Sequence, residues 1–287
     1  MFGLRHKVGL DAEGRRLPGA FGSYYLHELI NSGGMADLWL ATDEHRATCA
    51  VRCLRETSRF DFANRKRFVR GCEILAATHD HEFVIGYRGH GKTDGTFYLA
   101  MDYVEGSNLK LLMAQGDPSL EEYAGNVLIE SAMALEHVHE KGYMHLDFKP
   151  ENLVVTRNGS VRLVDFDLAR PRPEFAEKLG ANPGTPAYMS PEQLLREPVD
   201  HRADIFAFGV TAYELLTFRK PFPGETADEI LARELDREID FLAPREVNGD
   251  LPLVLERIVM KCLEREPDKR YPFMSVVVRD LQAALYV

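Results

Sequence analysis

The chain has 287 residues, of which 45% are hydrophobic, and can therefore bury the core of one large domain or of two lobes. Its formal net charge of −10 argues against nucleic acid or an anionic membrane as the main partner, since both attract basic proteins. The sequence lacks a long apolar run, a secretion signal at its start and any CxxC pair, which favours a cytoplasmic protein with reduced, mostly buried cysteines.

The N-terminal third of the chain has mainly strand patterns. Residues 1–22 are charged and glycine-rich without periodicity, and we expect them to form a short, loosely ordered extension. Strands are predicted over 37–41, 48–53 and 96–101, and a helix over 64–78. Gly33 and Gly34 are predicted to form a turn between two strands.

From residue 104 onward the pattern becomes helical. Ser119 and Glu122 have the spacing of a capping box, at the start of a helix that ends near Gly142. Further helices are predicted over 205–216, 253–263 and 274–285, and the first of these is apolar almost all round, as in a deeply buried helix. The change of pattern predicts an α+β protein with two lobes, 23–103 and 104–287, and a ligand cleft between them.

One short segment, residues 145–152, together with 164–167 just after it, carries the polar groups of a candidate reaction site. Asp147 can accept the proton of an attacking hydroxyl group, and Lys149 can approach a phosphate as a point charge. Asn152 and Asp165 offer oxygens to Mg²⁺, which needs few protein ligands when phosphates and water supply the others. Hydrogen bonds in turns would explain one of these side chains, but not four together.

Five motifs in chain order resemble those of the eukaryotic-type protein kinases, in the form found in bacterial serine/threonine kinases. They are H-x-D-x-K-P-x-N at 145–152, D-F at 165–166, G-T-P-A-Y-M-S-P-E at 184–192, the apolar helix from 204 to 209, and P-D-K-R at 267–270. The resemblance begins near residue 24 and reaches the C-terminus. It implies a bilobal protein-kinase-like fold with a small β-rich N-lobe and a larger helical C-lobe, and it implies ATP, Mg²⁺ and a protein as ligands.

The resemblance also implies roles for individual residues. Its catalytic residues correspond to Asp147, Lys149 and Thr185, and its metal ligands to Asn152 and Asp165. The implied nucleotide-binding residues are Ile30, Gly33, Gly34, Leu38, Ala50, Arg52, Met101, Asp102, Val104 and Leu153. Leu38, Ala50 and Leu153 are the three that would sandwich adenine, and ordinary strand packing is a compatible reading of them. The last motif implies an ion pair between Arg270 and Glu192.

The phosphate-binding half of the family pattern is altered in this chain. Only Gly33 keeps its place in the glycine-rich loop, which falls on residues 31–38. Arg52 stands where the family has a lysine that contacts phosphates, and its planar fork differs from an ammonium group in reach and direction. The glutamate that pairs with this lysine falls at Gly71. We therefore expect the ion pair to be absent, unless a shift of the helix offers Glu73 instead.

Two further departures concern the loops around the candidate site. Leu146 replaces an arginine that often receives a phosphorylated activation loop, and residues 168–184 contain no Ser, Thr or Tyr. We infer that activity is not switched on by phosphorylation in this stretch. Asp167 replaces the glycine after the D-F pair, where its carboxylate could repel ATP or serve as an additional metal ligand.

These features leave two main hypotheses of function. The four polar groups favour a Mg-ATP-dependent protein serine/threonine kinase, with reduced activity as one form of it. The changes at positions 52, 71 and 167 favour a pseudokinase that binds nucleotide and acts as a scaffold or allosteric partner. A weaker third possibility is phosphotransfer to a small molecule, against which the complete 184–192 segment argues, because that segment shapes a peptide groove in protein kinases.

Overall fold

The structure is a computed structural model that describes residues 16–55, 62–180, 184–236 and 241–285. These residues divide into two compact units. The first unit contains the described residues up to Ala76 and the segment Gly86–Tyr103. The second unit contains Ala77–Ile85 and the described residues from Val104 onward.

The first unit is built on one antiparallel sheet of six strands in the order β1-β2-β3-β4-β6-β5. The predicted strands and the turn at Gly33 and Gly34 are confirmed, with small changes at the boundaries. The strands are β1 (Gly19–Phe21), β2 (Tyr24–Ser32), β3 (Ala36–Thr42), β4 (Thr48–Leu54), β5 (Tyr87–Thr93) and β6 (Thr96–Asp102). The predicted helix is α1 (Phe62–Thr78).

Alternation along the strands gives the sheet two different faces. Trp39 of β3 pairs in register with Val51 of β4, which pairs with Ala100 of β6, and all three are buried in one core cluster. Because successive side chains point to opposite faces, their neighbours at positions 38, 40, 50, 52, 99 and 101 lie on the other face. This second face carries several of the candidate nucleotide-binding residues.

The expectation of a loosely ordered segment up to residue 22 is wrong for its last part. Gly19–Phe21 forms an edge strand paired with β2, and the Phe21 side chain is fully buried in the core cluster. Burial of a complete aromatic ring stabilises the folded state enough to order a short strand of low propensity. Residues 1–15 lie outside the described part of the chain.

The second unit is mainly helical, and the predicted helices are confirmed. Its helices are α2 (Leu109–Gln115), α3 (Ser119–Glu140), α4 (Pro191–Leu194), α5 (Arg202–Thr217), α6 (Ala227–Leu235), α7 (Pro244–Val247), α8 (Leu253–Cys262) and α9 (Met274–Leu285). Every residue of α5 from Ala203 to Thr217 is buried, as its sequence predicts. Among the described helices, none has both the length and the apolar character needed to cross a membrane.

Short strands surround the candidate site in this unit. They are β7 (Gly106–Asn108), β8 (Tyr143–Met144), β9 (Leu153–Thr156), β10 (Val161–Leu163), β11 (Arg170–Pro171), β12 (Glu177–Lys178) and β13 (Pro198–Val199). They form three small sheets, in the orders β10-β9-β7, β11-β8 and β12-β13. Single 3₁₀ turns occur at Pro150–Asn152, Pro186–Tyr188 and Pro267–Lys269.

The predicted capping box at the start of α3 is wrong. Ser119 is the first residue of the helix rather than its cap, and Pro118 precedes it without a side-chain hydrogen bond. The acceptor is instead Asp117, whose Oδ1 receives the backbone N–H of Ser119 at 2.9 Å. Aspartate caps as well as serine, so a single side-chain hydrogen bond stands in place of the capping box.

All four cysteines are buried and free of disulfide bonds, as expected. Burial raises the pKa of Cys53 to about 12. This thiol therefore stays protonated at neutral pH and packs as a small apolar side chain.

Candidate active site

The loop that carries Asp147 runs from β8 to β9 in the second unit, and a buried carboxylate holds its backbone. Asp204, at the start of α5, accepts the N–H of His145 at 2.8 Å and the N–H of Leu146 at 2.7 Å. His139 of α3 contacts the same carboxylate at 2.8 Å. Burial alone would raise the pKa of Asp204, but these hydrogen bonds and the nearby histidines hold it below its ordinary value.

The three predicted catalytic side chains lie together in this loop and the segment that faces it. The Lys149 ammonium group donates to both carboxylate oxygens of Asp147, at 2.9 and 2.8 Å, and to the Thr185 hydroxyl at 3.0 Å. Both charged side chains are largely shielded from solvent. The arrangement fixes a carboxylate as a proton acceptor beside a cation that can neutralise a phosphate.

The amide of Asn152 completes this group and is oriented by it. Its Nδ2 donates to the Asp147 backbone carbonyl at 2.7 Å and to the Asp147 carboxylate at 3.0 Å. Because the nitrogen is used in this way, the amide oxygen is the atom left to bind a cation. This is the orientation that a metal ligand requires.

Asp165, the second predicted metal ligand, lies in the loop after β10. The Val164 N–H donates to the Asn152 carbonyl at 2.9 Å, which ties this loop to the one that carries Asn152. Asp165 has a φ of 63°, a left-handed conformation that aspartate tolerates better than most residues. An amide oxygen and a carboxylate in adjoining loops fit Mg²⁺, provided that phosphate oxygens and water complete its shell.

His145 supports both loops as a neutral ring. Its Nδ1 accepts the Asp147 N–H at 3.3 Å, and its Nε2 lies 3.3 Å from the Val164 carbonyl. The ring also packs edge-on against Phe166, with centroids 5.0 Å apart. Burial lowers the pKa of His145, which keeps one nitrogen as an acceptor and the other as a donor near pH 7.

The substituted residue Asp167 is buried, with 6% of its surface exposed. Its backbone N–H donates to the Asp165 carboxylate at 3.3 Å. Among the described residues, no cluster of three His, Cys, Asp or Glu side chains could hold a metal. A cation at this site would therefore depend on the amide of Asn152 as well as on Asp165.

The end of the segment that holds Thr185 is fixed by a buried ion pair. The two terminal guanidinium nitrogens of Arg270 donate to the Glu192 carboxylate at 2.7 Å, in the pairing that the sequence predicts. Gly184 precedes Thr185 with a φ of 147°, and a Cβ there would lie 2.7 Å from the Met189 side chain. Glycine therefore suits both this positive φ and the close approach of the Met189 side chain.

In the first unit, the candidate nucleotide-binding residues lie on neighbouring strands of the sheet. Leu38 pairs with Arg52, and Ala50 pairs with Met101, so all four side chains belong to the face opposite the core cluster. The remaining predicted residues lie around this face or in the other unit. Ile30 is in β2, Gly33 and Gly34 form the following turn, Asp102 ends β6, and Val104 and Leu153 belong to the second unit.

The structure clarifies the surroundings of Arg52. Its guanidinium carbon lies 5.7 Å from the centre of the Phe68 ring of α1, within the range of a cation–π contact. Gly71 is on the buried side of α1, whereas Glu73 is exposed. Among the described residues, no ion pair joins Arg52 to Glu73. The helix therefore does not shift to replace the missing glutamate.

Two residues that the sequence analysis did not single out as functional hold the site together. Asp204 and His139 form a buried pair that anchors the loop of Asp147, although they belong to different helices. The sequence feature that could have revealed Asp204 is a carboxylate at the start of an otherwise apolar, fully buried helix. A charge in such a place requires specific partners, and the amides of an adjacent loop can provide them.

Comparison with known proteins indicates the same class of protein that the sequence motifs resemble. A family model described as the protein kinase domain matches residues 24–281. The match covers most of the chain, and the chain therefore belongs to the protein kinase family. The predicted bilobal kinase fold of the α+β class, with a β-sheet N-lobe and a helical C-lobe, is thereby confirmed.

The similar curated proteins are bacterial serine/threonine kinases. One is a probable serine/threonine-protein kinase of Streptomyces coelicolor, 34% identical over 95% of this chain and 41% of its own length. PrkC of Bacillus subtilis is 30% identical over 92% of this chain and 40% of its own length. PknB of Mycolicibacterium smegmatis is 32% identical over 90% and 42%. The chain thus spans about two fifths of the length of these relatives.

Proposed function

We propose that the chain is a Mg-ATP-dependent protein serine/threonine kinase. The observation that carries the proposal is the hydrogen-bonded group of Asp147, Lys149, Thr185 and Asn152. Phosphoryl transfer requires mainly positioning and charge neutralisation, and these side chains supply both. The names of the similar bacterial proteins support Ser/Thr hydroxyl groups of proteins as acceptors.

In the proposed reaction, Asp147 orients the attacking hydroxyl and accepts its proton. Lys149 approaches the transferred phosphate, while Thr185 restrains the lysine through the 3.0 Å hydrogen bond. Asn152 and Asp165 would hold magnesium, which would neutralise charge on the phosphates of ATP. Arg52 supplies positive charge in place of the usual lysine.

The proposed adenine site uses the second face of the sheet in the first unit. Leu38, Ala50 and Met101 provide apolar surface there. Asp102 and Val104 provide backbone groups, as the family resemblance implies. Within the described residues the N–H of Val104 donates to no protein acceptor, which suits a group that binds a ligand.

A second candidate function is a pseudokinase that binds nucleotide without transferring phosphate. The buried glycine at position 71 and the exposed Glu73 favour it, because the glutamate usual in the family is missing at position 71 and Glu73 does not take its place. Losing an oriented charge at a phosphate commonly costs about 3 kcal/mol in the transition state. The proposals for cytoplasmic location and for a protein partner are common to both candidates.

The deciding experiment compares the purified chain with Asp147→Asn. Each protein is incubated with Mg-ATP and a mixture of Ser/Thr peptides, and phosphate incorporation is measured by mass spectrometry. We expect incorporation by the natural chain and a loss of about 100-fold or more in the variant, the usual contribution of a catalytic base. Nucleotide binding should persist, because asparagine keeps the size of the side chain.

Asp228→Asn is the matched control, since it makes the same change at an exposed position of α6. It should transfer phosphate at the natural rate. Equal turnover by Asp147→Asn and the natural chain would remove Asp147 from the proposed role. Nucleotide binding without incorporation into any peptide would support the pseudokinase instead.

A further inference from the structure

We propose that an apolar cluster, rather than a phosphorylated residue, holds the segment 165–180 and so positions Asp147. We call it the latch cluster. It consists of four buried side chains and one partly buried one: Met144, Leu146, Val199, Ala203 and Leu179. Leu179 is then a positioning residue of the reaction, an inference that rests on the proposed kinase function.

Two short strand ladders join the described residues 165–180 to the rest of the second unit, and both lie at the latch cluster. Near its start, Arg170 in β11 pairs with Met144 in β8. Farther along, Glu177 in β12 pairs with Val199 in β13. The stretch between these two short ladders therefore begins and ends beside residues of one cluster, and Leu179 adds a side-chain contact at the far end.

Two-residue ladders are too short to hold a segment by hydrogen bonds alone. Met144, Val199 and Ala203 are at most 1% exposed, and Leu146 is 8% exposed. Covering these side chains with Leu179 removes apolar surface from water, which is favourable in proportion to the area covered. The packing of Leu179 is therefore the part of the attachment that a single substitution can test.

The latch cluster is linked directly to the reacting groups through Leu146, the residue before Asp147. Leu146 has a φ of 59°, an uncommon conformation for a large side chain. Its N–H bond to Asp204 and the packing of its side chain maintain this conformation. Loosening the packing would let the backbone relax, which would shift Asp147 away from Lys149.

The sequence explains why an apolar contact serves here. Residues 168–184 offer no hydroxyl that could be phosphorylated, and Leu146 offers no cation to bind a phosphate. Leu146 and Leu179 instead both belong to the apolar latch cluster. This packing needs no modification, so the segment is held as soon as the chain folds.

The test introduces a carboxylate into the latch cluster with Leu179→Asp. We expect kcat to fall by about tenfold or more, because small misplacements of a catalytic group have effects of this size or larger. The KM for ATP should stay within about twofold, since no nucleotide-binding residue changes. Hydrogen exchange of the amides at 177–179 should become faster as the segment detaches.

Phe175→Asp is the matched control, because it adds the same charge to the same segment at a side chain that is 79% exposed. It should leave both kcat and the exchange rates unchanged. Leu179→Met conserves apolar volume and should retain activity and protection. Leu179 is only partly buried, so the aspartate variant should fold, which thermal unfolding will verify.

The two readouts separate this inference from the proposed function. Equal exchange rates at 177–179 in Leu179→Asp and Phe175→Asp would show that the latch cluster does not hold the segment, whatever the activity. Faster exchange with an unchanged kcat would overturn the positioning role of Leu179. If the natural chain transfers no phosphate, the kinase proposal fails, and the exchange comparison still decides whether the cluster holds the segment.

Discussion

At position 52, an arginine lies over the ring of Phe68 and has no glutamate at position 71 to pair with. We therefore expect Arg52→Lys to lower the affinity for Mg-ATP, although it restores the residue usual in the family. A lysine has no planar group to stack on the ring and is held less firmly in place. A resulting loss of about 1 kcal/mol in its interaction with ATP corresponds to about fivefold weaker binding. Calorimetric titration with Mg-ATP measures this change.

The control is Arg65→Lys, which makes the same change in α1, where Arg65 lies 5.8 Å from the ring of the exposed Phe62. Nucleotide affinity should not respond to it. An increase in affinity or turnover for Arg52→Lys would show that the site is an ordinary lysine site with one unfavourable substitution.

A second prediction at the residue scale concerns the hydroxyl group of Thr211. The Thr211 hydroxyl is buried in α5 and has no hydrogen-bond partner among the residues that the structure describes. Thr211→Val replaces it with a methyl group of similar shape and should stabilise the fold by about 1 kcal/mol. Urea unfolding measures the difference. Thr217→Val should instead destabilise it, because the Thr217 hydroxyl donates to the Tyr213 carbonyl at 2.7 Å.

At the scale of the element, α4 depends on one ion pair. Arg270 is fully buried against Glu192 and also donates to the backbone carbonyls of Glu264, Arg202 and Arg265. Glu192→Gln should cost about 3 kcal/mol or more, because it leaves a buried guanidinium group without a counter-charge. A thermal unfolding series gives the cost. A loss below about 1 kcal/mol would mean that the carbonyls alone satisfy Arg270.

At the same scale, the sequence predicted those elements and side-chain groups that depend on local patterns. Strands β3, β4 and β6 follow from alternation, and the groups of Asp147, Lys149 and Asn152 are close in sequence. The anchoring of this loop by Asp204 depends on a contact across nearly sixty residues, which periodicity does not reveal. Strand β1 was missed because its stability comes from the burial of Phe21 rather than from propensity.

For the whole molecule, three histidines with lowered pKa values make the stability sensitive to acid. Burial lowers the pKa values of His81, His145 and His201 below 6.5. Each binds its proton more weakly in the folded than in the unfolded chain, so its contribution is complete above pH 6.5 and declines as the pH falls below that value. We expect the free energy of unfolding to be lower at pH 5.5 than at pH 7.5.

Urea unfolding at the two pH values tests this expectation. His201→Gln removes one of the titrating rings and should reduce the difference between the two values. His45→Gln, at an exposed position, should leave it unchanged. Equal stability at both pH values in the natural chain would contradict the titration of these rings.

The anchoring of the Asp147 loop by Asp204 also has a consequence during synthesis. The loop amides of His145 and Leu146 find their acceptor 59 and 58 residues later in the chain. A ribosome that has just translated the loop has therefore not yet made the carboxylate that shapes it. Until α5 has emerged and packed, the nascent chain lacks the anchor of this loop, and the loop takes its final shape only after that point.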